Sequence, residues 1–301
     1  MRGRRRRPLG VVQGLLCLTG PYPRTMPEGD TIHRVAASLR RAFDDRPLTR
    51  VELPRVPRPH PLPGTRILRI EARGKHLLLH LDDTTVLHTH LRMTGSWHLY
   101  RPGQRWVRAR SSARAVLATE DAVAVCYSAP IVELLDARAL RRHPSLRTLG
   151  PDLCDPAADL DEAVRRLATL PVPPPTIGEA LLDQRIACGV GNVYRCDVLF
   201  LHGLDPSTPI REITPQQLRA LLEDASALLR ANLTTTERTT APQAGPGAQW
   251  VHGRGGQPCR RCSTPIEVSR LGEQARYVYR CPRCQPAAGA RQGDDRAAPH
   301  C

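Results

Sequence analysis

Residues 259–262 are Cys-Arg-Arg-Cys and residues 281–284 are Cys-Pro-Arg-Cys, with eighteen residues between the two pairs. This separation lets four thiolates on two hairpin turns close a tetrahedral zinc site. Because sulfur fills all four positions, such a zinc would hold the fold together and leave no position for a substrate. Two unrelated cysteine pairs, or a redox site, are the alternatives. We expect a C-terminal zinc-finger hairpin with one structural Zn²⁺ bound by Cys259, Cys262, Cys281 and Cys284.

The chain is strongly basic, with a formal net charge of +15 over 301 residues. Residues 1–25 hold six arginines and no acidic residue, so residues 26–301 keep a charge of +9. A basic protein suits a polyanion such as nucleic acid, because binding releases condensed counterions. Arginine is abundant throughout the chain, so a compositional bias explains the charge equally well.

The other cysteines are scattered without a disulfide-like framework, which is typical of a reducing cytoplasm. No run of about twenty apolar residues is present, so we expect no membrane span. Residues 4–16 have the charge order of a signal peptide, but their apolar part is short and broken and lacks a cleavage site. We therefore expect a cytoplasmic, nucleoid-associated protein.

Residues 26–145 have the pattern of a helix followed by antiparallel strands. Apolar residues at helical spacing predict a helix over 31–43. Alternating or continuous apolar runs then predict seven strands, at 51–53, 67–72, 76–81, 85–90, 95–100, 115–118 and 122–127. Strands of this length and spacing favour an antiparallel sandwich or barrel.

The pattern changes to helix after residue 145. Four helices are predicted, over 160–170, 177–188, 193–202 and 215–233. A polar linker at 234–247 leads into the cysteine hairpin, and the low-complexity composition of residues 286–301 predicts disorder. We expect an α+β chain in five parts, with boundaries 1–25, 26–145, 146–240, 241–285 and 286–301.

Residues 26–31 are Met-Pro-Glu-Gly-Asp-Thr. If translation starts at Met26, removal of that methionine leaves Pro27 with a free secondary amine. An α-amine has a reference pKa of about 7.7 to 8.0, against about 10.4 for lysine, so more of it is unprotonated at neutral pH. Its attack on a sugar carbon would give an iminium, and Glu28 could move protons. Proline followed by glutamate is also a common helix entry.

Residues 181–194 contain Gly189 and Gly191 in a Gly-x-Gly turn. A helix beginning after Gly191 would direct its N–H groups and the Asn192 amide at a phosphate. A tight turn between two packed helices would give the same pattern.

Five motifs occur in one order: the residues of 27–31, Gly-Lys-His at 74–76, His-Leu-Arg-Met-Thr-Gly at 90–95, residues 182–194 and the cysteine hairpin. Together they resemble the formamidopyrimidine-DNA glycosylase and endonuclease VIII family of base-excision repair enzymes, over nearly all of residues 26–285. Glu-Gly-Asp-Thr after the proline is similar to the endonuclease VIII branch. The resemblance implies a β-sandwich catalytic domain, a helical domain with a helix-two-turns-helix motif, and a zinc-finger hairpin, with DNA held between them.

The resemblance also implies catalytic roles. Pro27 would be the Schiff-base nucleophile at C1′ of the damaged nucleoside, and Glu28 the general acid and base. Lys75 would contact DNA phosphate near the lesion, although a solvated turn lysine is the simpler interpretation without the family. Arg276 would clamp the DNA backbone, and its assignment rests on its spacing from Cys281.

DNA contacts are implied for a second group of residues. Asn192, with Gly191 and Gln184 in the same motif, would bind phosphate. Met93 would fill the gap that a flipped base leaves, unless it only packs at a strand edge. Two further gap-filling residues are expected on the loop near 103–114, where the sequence does not identify them.

The sequence therefore predicts a bifunctional DNA glycosylase and apurinic/apyrimidinic lyase that removes oxidised bases, mainly pyrimidines. We expect it to act as a monomer on damaged double-stranded DNA, with single-stranded DNA left open. Translation from Met1 would make Pro27 an internal imide that cannot attack, so we expect Met26 to be the start. The alternatives are a non-catalytic damaged-DNA-binding protein and an enzyme that cleaves only abasic sites.

Overall fold

The structure is a computed structural model that describes residues 26–43, 46–57, 61, 63–170 and 172–287. The predicted N-terminal extension and nearly all of the predicted disordered tail lie outside the described residues. Within those ranges, no helix is both long and apolar enough to cross a membrane.

The first part of the chain is helix α1 (Gly29–Phe43) packed against two four-stranded antiparallel sheets. The strands are β1 (Arg50–Glu52), β2 (Ile67–Arg73), β3 (His76–Leu81), β4 (Val86–His90), β5 (Ser96–Tyr100), β6 (Ala113–Ala118), β7 (Val123–Tyr127) and β8 (Ile131–Leu135). One sheet has the order β1–β6–β7–β5 and the other β2–β3–β4–β8. The predicted antiparallel β-rich fold is confirmed.

Helix α1 buries one apolar face in the sandwich core, where Ile32, Leu39 and Phe43 are each 1% exposed. The helix begins two residues earlier than predicted, because the Glu28 carbonyl already accepts hydrogen bonds from the Thr31 and Ile32 amides. This early start places the residues just before α1 at the edge of the core rather than in a loose arm.

Strand β8 was not predicted as a separate strand. Most of its residues are half-buried and Glu133 lies at its centre, so its sequence shows neither an apolar run nor clear alternation. It is held by pairing with β4, in which Glu133 lies opposite His88.

The second part is helical and consists of α2 (Ala137–Arg142), α3 (Leu160–Thr169), α4 (Ile177–Ala180), α5 (Asn192–Leu201) and α6 (Pro215–Ala231). Helix α6 begins at a capping box formed by Thr214 and Gln217. Helix α2 was missed, although Asp136 caps it by accepting from the Ala139 amide.

The predicted helix over 177–188 is wrong beyond Ala180. Residues 184–188 instead pair with the segment 150–153: the Gln184 carbonyl accepts from the Gly150 amide, and the Cys188 amide donates to the Pro151 carbonyl. Backbone groups used in this way are not available for helical hydrogen bonds. The result is a compact turn that leads into α5.

The third part is the antiparallel hairpin of β9 (Glu267–Leu271) and β10 (Arg276–Arg280) with the four cysteines at its base. Its small core includes Val278 and Ile266 and continues into helix α5 through Phe200. The predicted C-terminal hairpin is confirmed.

Asp197 of α5 fastens the segment that precedes this hairpin. Its carboxylate is fully buried and accepts hydrogen bonds from the amides of Trp250, Val251 and His252 at 3.0, 2.9 and 3.0 Å, and from the Thr240 hydroxyl. The linker predicted as merely polar is therefore tied to the helical part.

We expect Asp197→Ala to lower the free energy of unfolding by roughly 3 kcal/mol, because it leaves buried N–H groups unpaired. Urea denaturation followed by circular dichroism measures the change. Asp224→Ala is the matched control: Asp224 is an exposed partner of His202, and its loss should cost under about 0.5 kcal/mol. Equal losses in the two variants would contradict the fastening role of Asp197.

Candidate active site

The Glu28 carboxylate lies on the N-terminus of helix α5 and is 1% exposed. Oε2 accepts from the Gly191 amide and Oε1 from the Val193 amide, each at 2.9 Å. The positive end of a helix stabilises a carboxylate in this position. A carboxylate of the protein itself therefore accepts from the Gly191 and Val193 amides, and the phosphate contact predicted for this motif stays a prediction.

This contact requires glycine at position 191. A Cβ there would lie 2.3 Å from Cδ of Glu28, well inside van der Waals contact. The close approach extends along the chain, since the Gly29 amide donates to the Gly189 carbonyl at 2.9 Å. The glycines of the Gly-x-Gly turn thus allow the start of α1 to pack directly on the start of α5.

Arg238, which the sequence did not single out, reaches the same place from the linker before the zinc hairpin. It forms a two-pronged ion pair with Asp30, with Nη2–Oδ1 and Nε–Oδ2 distances of 2.6 and 3.1 Å. Its Nη1 lies 3.6 Å from Oε1 of Glu28. Burial alone would lower the pKa of Arg238, but Glu28 and Asp30 raise it above its usual value. No local signal distinguishes this arginine, because only the fold brings it to Glu28.

Lys75 occupies the turn between β2 and β3. The preceding Gly74 has φ +56°, and its amide donates to Oδ2 of Asp152 at 2.7 Å. A Cβ at Gly74 would lie 2.8 Å from Cβ of Cys188, so the turn packs directly on the segment before α5. His33 of α1 lies 2.9 Å from the same Asp152 oxygen and completes the support of the turn.

The half-buried Lys75 side chain lies in the same electrostatic environment as Glu28. Burial lowers the pKa of Lys75 to about 8; Glu28 opposes this decrease, whereas Arg276 and Arg238 add to it. The structure thus brings two other predicted catalytic residues, Glu28 and Arg276, within electrostatic range of Lys75. Pro27 directly precedes Glu28 and is half-buried.

Two further predicted site residues lie on the zinc hairpin and on helix α5: Arg276 is on the hairpin, and Asn192 begins the helix. Arg276 begins β10, is exposed, and donates from Nε and Nη2 to Oε1 of Gln274 at 2.9 and 2.7 Å. The Asn192 side-chain amide donates to the Tyr277 carbonyl at 2.9 Å, which the Arg195 guanidinium also contacts at 2.8 Å. Asn192 therefore joins the helix to the hairpin, and its phosphate contact stays a prediction.

Gln184 uses both polar atoms of its side chain within its own loop. Nε2 donates to the carbonyls of Leu182 and Val190 at 2.7 and 3.1 Å, and Oε1 accepts from the Gly189 amide at 3.1 Å. It shapes the turn that presents Gly191, and the DNA contact predicted for it stays a prediction.

Met93 is 69% exposed on the turn between β4 and β5. A large apolar side chain exposed to solvent suits the predicted gap-filling role, which stays a prediction. On the neighbouring loop, Trp106 is half-buried, stacks on Tyr100 and is covered by the Arg110 guanidinium, 4.5 Å from its ring centroid.

The four cysteines converge on one point. Their sulfurs lie within 4.8 Å of one another, with Sγ–Sγ distances of 3.3 Å for Cys262–Cys281, 3.5 Å for Cys262–Cys284 and 3.9 Å for Cys259–Cys284. A tetrahedral zinc with Zn–S bonds of about 2.3 Å would separate its sulfurs by about 3.8 Å. The residues present therefore fit a zinc ion.

The sequence model of the formamidopyrimidine-DNA glycosylase N-terminal domain matches residues 26–139, and that of its H2TH domain matches residues 149–243. The chain is 39% identical to a probable endonuclease 8 2 of Streptomyces coelicolor, over 89% of this chain and 97% of that protein. It is also 39% identical to the DNA-(apurinic or apyrimidinic site) lyase Nei2 of Mycolicibacterium smegmatis, over 87% and 100%.

The fold is that of the solved DNA glycosylases. The structure superposes on Lactococcus lactis formamidopyrimidine-DNA glycosylase bound to DNA with an abasic site, with a TM-score of 0.70 and 20% identity, covering 87% of this chain and 100% of that one. MutM in complex with DNA containing carbocyclic 8-oxo-G gives a TM-score of 0.72 at the same identity and coverage. The chain belongs to the formamidopyrimidine-DNA glycosylase and endonuclease VIII family, as its motifs predicted.

The lowered pKa of Lys75 predicts how DNA affinity depends on pH. A phosphate contact needs the ammonium form, and the charged fraction of a group with a pKa of about 8 falls as pH rises from 7 to 9. We expect affinity for a duplex with an uncleavable tetrahydrofuran abasic site to fall by up to about tenfold more in the wild type than in Lys75→Arg, whose guanidinium stays charged. Fluorescence anisotropy at constant salt measures both. The same pH dependence in the two proteins would contradict the contact.

Proposed function

We propose that this DNA glycosylase and apurinic/apyrimidinic lyase of DNA repair removes oxidised bases, chiefly pyrimidines, from double-stranded DNA in the cytoplasm. The observation that carries the proposal is the buried Glu28 carboxylate, fixed on the N-terminus of α5 directly beside Pro27. The Glu-Gly-Asp-Thr sequence and the relatives named endonuclease 8 favour the pyrimidine-directed branch.

The chemistry begins at the Pro27 nitrogen. The amine lone pair forms a bond to C1′ of the damaged nucleoside while the bond from C1′ to the base breaks, and the base leaves with that electron pair. Glu28 takes the proton that the amine loses and gives it to O4′ as the C1′–O4′ bond opens, which leaves an iminium at C1′. The iminium acidifies the C2′ protons, and the Glu28 carboxylate, which has given its proton to O4′, takes one of them. The C3′–O bond then breaks, the 3′ phosphate leaves with that electron pair, and the strand is cleaved.

This chemistry needs Pro27 at the N-terminus. The family match begins at residue 26, and nearly nine-tenths of this chain covers 97% and 100% of two relatives, which supports translation from Met26. Removal of that methionine would then free the Pro27 amine. We propose the residues before Met26 as an extension without a role in catalysis.

One Zn²⁺ on the four cysteines would supply structure alone, since it has no open position. The thiolates would fix the base of the β9–β10 hairpin, and the hairpin presents Arg276 towards the DNA. The hairpin is also joined to helix α5, because the Asn192 side-chain amide donates a hydrogen bond to the Tyr277 carbonyl.

A narrower activity is the second candidate. The relative from Mycolicibacterium smegmatis is named as a lyase of abasic sites, which favours an enzyme that cleaves abasic DNA with little base excision. Two substrates distinguish the candidates, one with an oxidised pyrimidine and one with a preformed abasic site. The narrower enzyme would cleave the second and leave the first largely intact.

We expect the protein started at Met26 to release thymine glycol and cleave the strand. Pro27→Gly and Glu28→Gln should each abolish lesion-base excision, lowering it at least about a hundredfold, while DNA affinity survives. Gel analysis of end-labelled oligonucleotides measures excision and cleavage separately. Glu52→Gln is the control, because this exposed carboxylate pairs with Arg50 on β1, away from the site. Unchanged excision by both active-site variants would contradict the mechanism, and cleavage of abasic DNA alone would favour the second candidate.

Loss of zinc should weaken DNA binding while the rest of the chain stays folded. We expect native mass spectrometry to find one zinc per chain, and Cys281→Ala to lose it and to bind abasic-site duplex at least about tenfold more weakly, because the hairpin that carries Arg276 is no longer fixed. Cys126→Ala, at a buried sandwich cysteine, should keep the metal. Full DNA affinity without zinc would contradict the structural role of the metal.

A further inference from the structure

Among the described residues, Arg238 is the only arginine with ion-pair contacts to both Glu28 and Asp30 at the start of α1. It is 6% exposed, and besides Asp30 its guanidinium contacts the Thr31 hydroxyl at 2.9 Å. Its Nη1 also donates to the carbonyl oxygen of Met26 at 3.3 Å. The guanidinium therefore lies against the peptide bond that links Met26 to Pro27.

The segment that follows Arg238 is held in place before any DNA binds. The Asn232 side chain clamps Thr239 from both sides, donating to its carbonyl and accepting from its amide, each at 2.8 Å. The Thr240 hydroxyl donates to Asp197, and the Arg238 guanidinium lies over the Tyr194 ring, 5.3 Å from its centroid. An arginine fixed in this way is preorganised rather than a mobile surface charge.

The position of Arg238 matters most once Met26 is gone. The Pro27 nitrogen is bonded to the carbon of the carbonyl that Nη1 contacts, so Nη1 lies within roughly 6 Å of that nitrogen. A positive charge at this range disfavours the protonated form of an amine, whereas the neighbouring Glu28 favours it. Asp30 counts less, because Arg34 of α1 also pairs with it at 3.0 Å.

The other charged groups around this point come from three elements. Lys75 on the β2–β3 turn, Arg276 on β10 and the buried Arg195 of α5 are cations that act in the same direction as Arg238. The Tyr194 ring of α5 carries no charge at neutral pH. Glu28 is thus opposed mainly by the helix N-terminus and by Arg238, the only cation among the described residues that has an ion-pair contact with it.

We propose that Arg238 is a positioning residue that keeps the mature Pro27 amine unprotonated and holds Glu28 beside it. The inference rests on the proposed role of Pro27 as nucleophile. The linker between α6 and the zinc hairpin would thus contribute to the chemistry through Arg238, although its sequence does not indicate such a role.

The test is the pH dependence of the rate of borohydride-trapped adduct formation under single turnover, on a duplex with a preformed abasic site, with proteins started at Met26. Arg238→Gln removes the charge, so we expect the midpoint of the profile to rise by about one pH unit. The rate should then be about tenfold lower near pH 6.5 and close to the wild type at pH 9. Arg238→Lys should keep the wild-type midpoint, as should Arg50→Gln, which removes an arginine on β1 away from the site.

A merely structural role would lower the rate of Arg238→Gln by the same factor at every pH, and that result would overturn the proposal. A measurement on the wild type alone guards against misfolding of the variant: the rate of reductive methylation of the Pro27 amine should show a midpoint below the ordinary α-amine range of about 7.7 to 8.0. A midpoint within or above that range would also overturn it. No trapped adduct from the wild type at any pH would instead overturn the proposed function, and the role of Arg238 with it.

Discussion

The contact on which the rest of this structure depends is that of the Glu28 carboxylate with the N-terminus of helix α5. A buried carboxylate without donors would be very costly, and here the Gly191 and Val193 amides supply them. The same helix holds the linker through Asp197 and the zinc hairpin through Asn192. One ten-residue helix therefore joins all three parts of the chain at the place where the chemistry is proposed.

The site is an arrangement of opposed charges held away from water. Glu28 and Asp30 at the start of α1 face Arg238 from the linker, and Lys75 is brought in by a turn that depends on Gly74. In such surroundings burial and neighbouring charges together set the protonation of each group: burial lowers the pKa of Lys75, Glu28 opposes the decrease, and Arg276 and Arg238 add to it. The fold brings charged groups from separate parts of the chain close together, and in this way it controls their protonation.

Much of this arrangement follows from the sequence, because its signals are local. Residue spacing predicts α1 to within two residues, and the two cysteine pairs alone identify the hairpin. The features that the sequence did not predict depend on contacts between residues far apart in the chain. The segment after Ala180 has a helical pattern but gives its hydrogen bonds to residues 150–153, and Arg238 gains its meaning only when the chain folds 208 residues back onto Asp30. Likewise, the amides after Gly191 suit an anion, and only the fold shows that the anion is Glu28.

The central claim is that Pro27, freed at the N-terminus, is the nucleophile. The most direct measurement is borohydride reduction on an abasic-site oligonucleotide with proteins started at Met1 and at Met26, followed by mass-spectrometric mapping of the modified residue. The account predicts an adduct only with the Met26 form, on the nitrogen of Pro27. An adduct on a lysine, or equal adducts from both forms, would contradict it.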